Sequence, residues 1–134
     1  MLGAEKQKAW LTDQAFLKER GFETVDTTEN GYALLALSFD GTKPHFTENA
    51  KTMRIDEQGL VVYYDPQCPY ATQSIAQIET YCKDNGVPVE FRLVDTLEKA
   101  KALPCVFNNW AVFYRGAFQT VNLLDTAALK RILK

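Results

Sequence analysis

Apolar and polar positions recur along the chain with two periods, and glycine, proline and capping residues mark where one gives way to the other. The plainest segment is Leu60 to Tyr64, five apolar or aromatic residues in a row, which predicts a buried strand. Asp65-Pro66 breaks it, and Ile75, Ile78 and Cys82 then recur at helical spacing. Lys83-Asp84-Asn85-Gly86 stops that helix, with Gly86 as its cap. Val87 to Val94 alternates and reads as a strand. Asp95 or Thr96 caps a short helix over Leu97 to Leu103, which Pro104 ends. Trp110 to Tyr114 is a strand, Arg115-Gly116 a turn, and Ala117 to Val121 the other arm of a hairpin. A closing helix over Leu123 to Leu133 is capped by Asp125, with Leu129, Ile132 and Leu133 on one face. Residues 59–134 therefore read β-α-β-α-β-β-α.

Residues 1–11 are polar and expected to fray. Thr12 or Asp13 caps a helix through Arg20, and Gly21 ends it ahead of Phe22. Glu23 to Thr27 is a short strand, Glu29-Asn30-Gly31 a hairpin turn, and Tyr32 to Phe39 the return strand. Residues 1–40 thus form an α-β-β segment. Residues 41–58 are a linker, with turn signals at Asp40-Gly41-Thr42 and Pro44 and a short helix over Thr47 to Met53. A piece of about 40 residues seldom buries enough surface to fold alone. Residues 1–40 are accordingly expected to dock on the second unit, pair with another copy or complete a further domain; the last two would leave Leu34, Leu35, Leu37 or Phe39 exposed, and self-association through residues 32–39 is expected.

Composition narrows the classes. The 134 residues are 46% hydrophobic and 24% charged, as in an ordinary soluble globular protein. Net charge is −2 with no lysine or arginine cluster, which argues against nucleic acid as a partner. No apolar run approaches the ~20 residues that span a bilayer, and Met-Leu-Gly-Ala-Glu-Lys-Gln-Lys lacks a signal-peptide core, so the chain reads as cytoplasmic. The three cysteines read as thiols rather than a disulfide framework. With His45 the single histidine, and in a polar linker, a histidine-rich metal site is not expected.

The candidate chemistry lies at Cys68, at the mouth of the helix that follows Leu60–Tyr64. A cysteine in a first helical turn faces unpaired N–H groups and the positive end of the helix dipole, which favour its thiolate. The alternative is a helix terminus that retains a cysteine without using it. Cys82, on the apolar helix face, is assigned to packing.

Asp65-Pro66-Gln67-Cys68-Pro69-Tyr70 resembles the active-site turn of glutaredoxins, of the thioredoxin-fold superfamily, whose dithiol members carry Cys-Pro-Tyr-Cys; Ala71 stands in place of the second cysteine. The β-α-β-α-β-β-α order is that of the thioredoxin fold. The resemblance implies a monothiol oxidoreductase with Cys68 as nucleophile, resolved by glutathione or by Cys105. It also implies a cis-proline beside the cysteine, for which Pro104 is the candidate; were the domain to bind a partner instead of reacting, Pro69, Tyr70 and Pro104 would be its binding edge. Monothiol glutaredoxins also hold an iron–sulfur cluster between two copies. Cys105 is otherwise a small buried hydrophobe.

Ala15 to Glu23 followed by the Tyr32–Leu37 strand resembles the C-terminal end of acetyltransferases of the GNAT superfamily. The Gly-rich acetyl-CoA phosphate loop has no counterpart in this sequence, and Leu17 stands where those enzymes often carry a tyrosine. Arg54-Ile55-Asp56-Glu57, Leu60 to Tyr64, Gln67 to Tyr70, Leu103-Pro104 and Phe113 to Gly116 extend the likeness to bacterial acetyltransferases with a C-terminal YoaP-like domain. That resemblance spans residues 13–134. It implies an accessory binding module for an acetyltransferase core, with acetyl-CoA bound only where that core is supplied.

Overall fold

The computed structural model describes residues 1–6, 11–106 and 109–134, and the chain forms two compact units, Met1–Lys51 and Thr52–Lys134. It is a mixed α/β protein with two sheets.

The first unit contains β1 (Leu2–Ala4), α1 (Gln14–Glu19), β2 (Glu23–Thr27), β3 (Tyr32–Ala36) and most of α2 (Glu48–Thr52). Asp13 caps α1, its carboxylate accepting from the Ala15 N–H at 3.0 Å. The helix ends as the sequence predicts. Gly21 takes φ +86°, its N–H donates to the Lys18 carbonyl, and the Phe22 N–H reaches back to the Leu17 carbonyl. Leu17, Ala33 and Leu35 form a small core against Phe22.

Two expectations for this unit are corrected. Leu2–Ala4 is a strand, antiparallel to β3 with Leu2 opposite Leu34 and Ala4 opposite Tyr32; residues 7–10 of the stretch expected to fray lie outside the described residues. β3 is therefore the central strand, in the order β1-β3-β2. Its backbone is paired on both sides and Leu35 is fully buried, so residues 32–36 present no edge for self-association. Beyond the strand, Leu37 and Phe39 are exposed. The carboxylate of Asp26 takes hydrogen bonds from Lys51 Nζ at 2.8 Å and from the Phe46 N–H at 2.8 Å, which fastens residues 46–51 to β2. These contacts, led by Lys51, hold the Asp26 carboxyl below the usual carboxylate range.

The second unit contains β4 (Leu60–Tyr64), α3 (Ala71–Asn85), β5 (Val89–Leu93), α4 (Leu97–Lys101), β6 (Trp110–Tyr114), β7 (Ala117–Thr120) and α5 (Thr126–Leu133). The strand order is β5-β4-β6-β7, with β4 parallel to β5 and antiparallel to β6. β4 and β6 are central, and their side chains alternate between two apolar layers. Leu60, Val62, Trp110 and Val112 meet Ile78 and Cys82 of α3 and Leu129 of α5. Val61, Ala111 and Phe113 meet Cys105 on the other face, with Met53 and Ile55 packed alongside. Burial on both faces is why Leu60–Tyr64 reads as an unbroken apolar run.

Two side chains fix connections in this unit. Ser74, on the buried face of α3, donates to the Leu124 carbonyl at 2.8 Å and accepts from the Leu124 N–H at 3.2 Å. One hydroxyl thereby satisfies both backbone groups of a buried residue just ahead of α5. Arg115 and Gly116, at φ +52° and +77°, turn β6 into β7. A Cβ on Gly116 would lie 2.8 Å from the Ile55 carbonyl oxygen.

Ser74→Ala leaves both Leu124 backbone groups buried without a partner, and should lower stability by about 1–3 kcal/mol in urea melts. An unchanged midpoint would refute this role. Gly116→Ala meets both the left-handed backbone and the Ile55 carbonyl, and should cost about 1–3 kcal/mol, whereas Gly41→Ala, at a turn with open space around it, should cost less in the same assay.

Candidate functional site

The candidate site is the turn between β4 and α3. The Asp65 N–H donates to the Asn109 carbonyl at 3.0 Å, and Tyr64 lies opposite Trp110, so the turn starts beside the entry to β6. The Asp65 carboxylate then accepts from the Gln67 N–H at 2.8 Å, closing an Asx-type turn through Pro66. The Cys68 carbonyl accepts from the Ala71 N–H at 3.2 Å, and the Tyr70 carbonyl accepts from the Ser74 N–H at 3.2 Å.

Tyr70 occupies the N-cap position without a side-chain cap, so Cys68 lies two residues ahead of it, outside the helix proper. The expectation that Cys68 falls in the first helical turn is corrected accordingly. The reason is local: the tight Cys68-to-Ala71 turn is completed before the α3 ladder begins. Cys68 is half-buried, leaning on the apolar layer beneath α3. Pro69 and Tyr70 are both exposed, Tyr70 with 67% of its surface open. Trp110 is fully buried in the layer that Cys68 touches, and its indole N–H has no hydrogen-bond partner. It is the one buried side-chain nitrogen or oxygen so placed among the described residues.

Cys105 lies elsewhere. It packs with Val61, Ala111 and Phe113, on the face of the sheet opposite the layer that holds Cys68. The sheet stands between the two thiols, and all three cysteines are free. The structure thus does not bring Cys105 to Cys68 as a resolving partner. Burial pushes the Cys105 thiol up to about 12, and desolvation also raises that of Cys82. Pro104 is half-buried between buried Leu103 and Cys105, and no peptide bond among the described residues is cis.

A second polar group sits on the Cys105 side of the sheet. Arg92 of β5 donates to the Glu90 carboxylate at 2.8 Å and to the Tyr63 hydroxyl at 2.8 Å, and also bonds the Glu57 carboxylate. These bonds, Glu90 first, raise the Arg92 pKa further, and Arg92 in turn keeps Glu57 below the usual carboxylate range. Tyr63, Arg92 and Leu103 border an open concavity of about 430 Å³. The Arg92 guanidinium is committed to Glu90 and Glu57, and Lys99, which also borders the concavity, is paired with Asp95 at 2.6 Å, so the concavity is a poor anion site. Neither the Arg92 cluster nor Ser74 was singled out from sequence. Ser74 had a signal, since helical spacing places it on the face shared by Ala71, Ile78 and Cys82.

The concavity of the first unit does not suit acetyl-CoA. It measures about 310 Å³ and is bordered, among the described residues, by Glu5, Glu29, Gln14, Thr24 and Thr28, with two carboxylates and no cation among them, a lining that disfavours a diphosphate. No group of three or more histidine, cysteine, aspartate or glutamate side chains is placed to hold a metal among the described residues. No helix among them is long and apolar enough to cross a membrane.

Comparison with known proteins gives the same direction as the motifs. Residues 88–134 match the family described as YoaP-like. The chain is 26% identical over 134 residues to a Bacillus subtilis (strain 168) protein named uncharacterized N-acetyltransferase YoaP. The similarity covers 98% of this chain and 53% of that protein, so the chain spans about half the length of the relative it matches. No solved structure matches the chain.

Two outcomes follow for the thiols. Iodoacetamide at pH 8 should modify Cys68 in the folded chain at least about tenfold faster than Cys82 or Cys105, and all three alike in denaturant. Equal rates in the folded chain would contradict the burial described. For Cys105 the folded pKa lies above the unfolded one, so its contribution is complete below about pH 8 and fades above that. The urea midpoint should therefore fall as pH rises from ~9 to ~11, and Cys105→Ala should flatten that fall. Parallel curves would refute the assignment.

Proposed function

We propose that this chain is an accessory binding module of an N-acetyltransferase, with its second unit a thioredoxin-like domain whose exposed Cys68-Pro69-Tyr70 turn contacts the acceptor substrate or the catalytic portion. The observation that carries the reading is the extent of the similarity. It takes in 98% of this chain, both units included, yet only 53% of a relative named as an N-acetyltransferase. The chemistry within the chain agrees: no Gly-rich phosphate loop is present in the sequence, and the concavity of the first unit is acidic. Acetyl transfer would then belong to a portion outside this chain. The strand order β5-β4-β6-β7, one parallel pair and two antiparallel ones, supports the thioredoxin-like assignment. Such sheets carry their sites outside the carboxyl ends of parallel strands, which is where β4 runs into the Cys68 turn.

In this reading Tyr70 is the anchor. An aromatic ring that is 67% exposed on a turn tied down by Asp65 and Asn109 offers apolar area at small entropic cost. Cys68 serves as a small packing residue beneath it. A monothiol redox use of Cys68 would need an external thiol such as glutathione, since Ala71 and the placement of Cys105 remove both intramolecular partners.

Titration of the chain with acetyl-CoA in a calorimeter should give no saturable heat; stoichiometric binding would overturn the accessory assignment. In a longer acetyltransferase that carries this region, Tyr70→Ala should raise KM for the acceptor about tenfold, with KM for acetyl-CoA unchanged. Unaltered acceptor kinetics would remove Tyr70 from the binding edge.

A further inference from the structure

The two outer strands of the four-stranded sheet are finished differently. β7 is covered by the segment that leads into the unit. Arg54 bridges Ala117, the Ile55 N–H donates to the Gly116 carbonyl at 2.9 Å, and the Phe118 N–H donates to the Met53 carbonyl at 3.2 Å. β5 has no strand beyond it among the described residues. Its even-numbered residues face β4: the Pro88 carbonyl accepts from the Leu60 N–H at 3.4 Å, and the Val94 N–H donates to the Tyr64 carbonyl at 2.8 Å. Backbone groups alternate in direction along a strand, so those of Val89, Phe91 and Leu93 point away from the sheet.

Exposed edges are normally blunted by charge, because two like-charged edges repel when they meet. β5 carries two charges of opposite sign, placed symmetrically about Phe91: Val89-Glu90-Phe91-Arg92-Leu93. Read backwards, the strand is its own complement. We infer that β5 is a self-association edge, at which two copies pair antiparallel through Val89–Leu93 about a two-fold axis at Phe91. In that register Phe91 meets the partner's Phe91 and Val89 meets the partner's Leu93, as hydrogen-bonded pairs through the outward-pointing groups. Glu90 meets the partner's Arg92, twice, in the closer non-hydrogen-bonded pairs.

The surroundings suit this occupant. Arg92 is held at the edge by Tyr63 and Glu57 and keeps those contacts, while its two bonds to Glu90 of its own strand, at 2.8 and 3.0 Å, are solvent-exposed and are the ones exchanged for the partner's Glu90. On the helix side, Val87, Val89, Phe91 and Cys82 border an open groove of about 520 Å³ beside the edge. The axis stands normal to the sheet, so the partner's Phe91 arrives on this same side. One five-residue pairing buries less than the ~1,200 Å² of a stable interface. Association should therefore be weak, with a dissociation constant on the order of 10–100 µM.

Sedimentation equilibrium of the whole chain from about 10 µM to 1 mM tests this. The chain should show a monomer–dimer equilibrium. Glu90→Arg places like charges opposite each other at both positions and should weaken association at least tenfold, as should Arg92→Glu. A mixture of the two variants should recover it. Leu93→Pro removes an outward N–H and no bond to β4, and should abolish association with circular dichroism unchanged, which keeps the test sound if Arg92→Glu fails to fold. A chain that is monomeric throughout, or dimers indifferent to Glu90→Arg and Leu93→Pro, would overturn the proposal.

Discussion

The second unit depends on one constraint: β4 and β6 are apolar on both faces, so both faces of their sheet must be covered. Val61, Val62, Trp110, Val112 and Phe113 are each at most 1% exposed. Burying each such side chain contributes roughly 1.5–3 kcal/mol, far more than any surface ion pair in the molecule. α3 and α5 cover one face. The other is covered by Cys105, with Met53 and Ile55 from the segment ahead of β4, and there Phe118 of β7 packs edge-on against Phe113. The positions of the three cysteines follow from this demand. Cys82 and Cys105 serve as small apolar fillers in opposite layers, and Cys68 is half-buried because the chain must cross the sheet end between strand and helix.

The polar contacts act where burial alone does not select a geometry. The Ser74 hydroxyl ties α3 to Leu124, just ahead of α5, and satisfies both of that residue's backbone groups. In the first unit Asp26 performs the corresponding task for residues 46–51. Arg92 links β4, β5 and the segment ahead of β4 through Tyr63, Glu90 and Glu57. Apart from the Arg92–Glu90 pair within β5, each of these contacts joins residues that are distant in sequence.

This division explains what could be read from the sequence. Element order and type in residues 59–134 were legible because period, caps and breakers agree there: Gly86 and Asp125 stand where the structure uses them, and Thr96 caps α4 through the Lys99 N–H. The strand Leu2–Ala4 was not legible, since three residues carry no period and its stability comes from β3. The same omission made β3 look like an open edge. At the site, the turn around Cys68 was legible from its prolines. That Cys105 faces away from it was not, because a side chain beyond an irregular loop can reach either face and only the tertiary packing decides. The pair Glu90 and Arg92, exposed and half-buried respectively, carried its information in symmetry rather than in hydrophobicity.

The bridge from Arg54 to Ala117 bears on how this polypeptide can be divided. Residues 53–55 seal the β7 edge and fill part of one apolar layer, although they precede the first strand of the sheet they complete. A truncation starting at Gly59 would keep every named strand of the four-stranded sheet and still produce a sticky protein, with a bare edge at β7 and Phe118 uncovered. Start sites at or before Thr52 retain the seal. The shortest well-behaved fragment is thus set by who covers the last strand, not by where the first one begins.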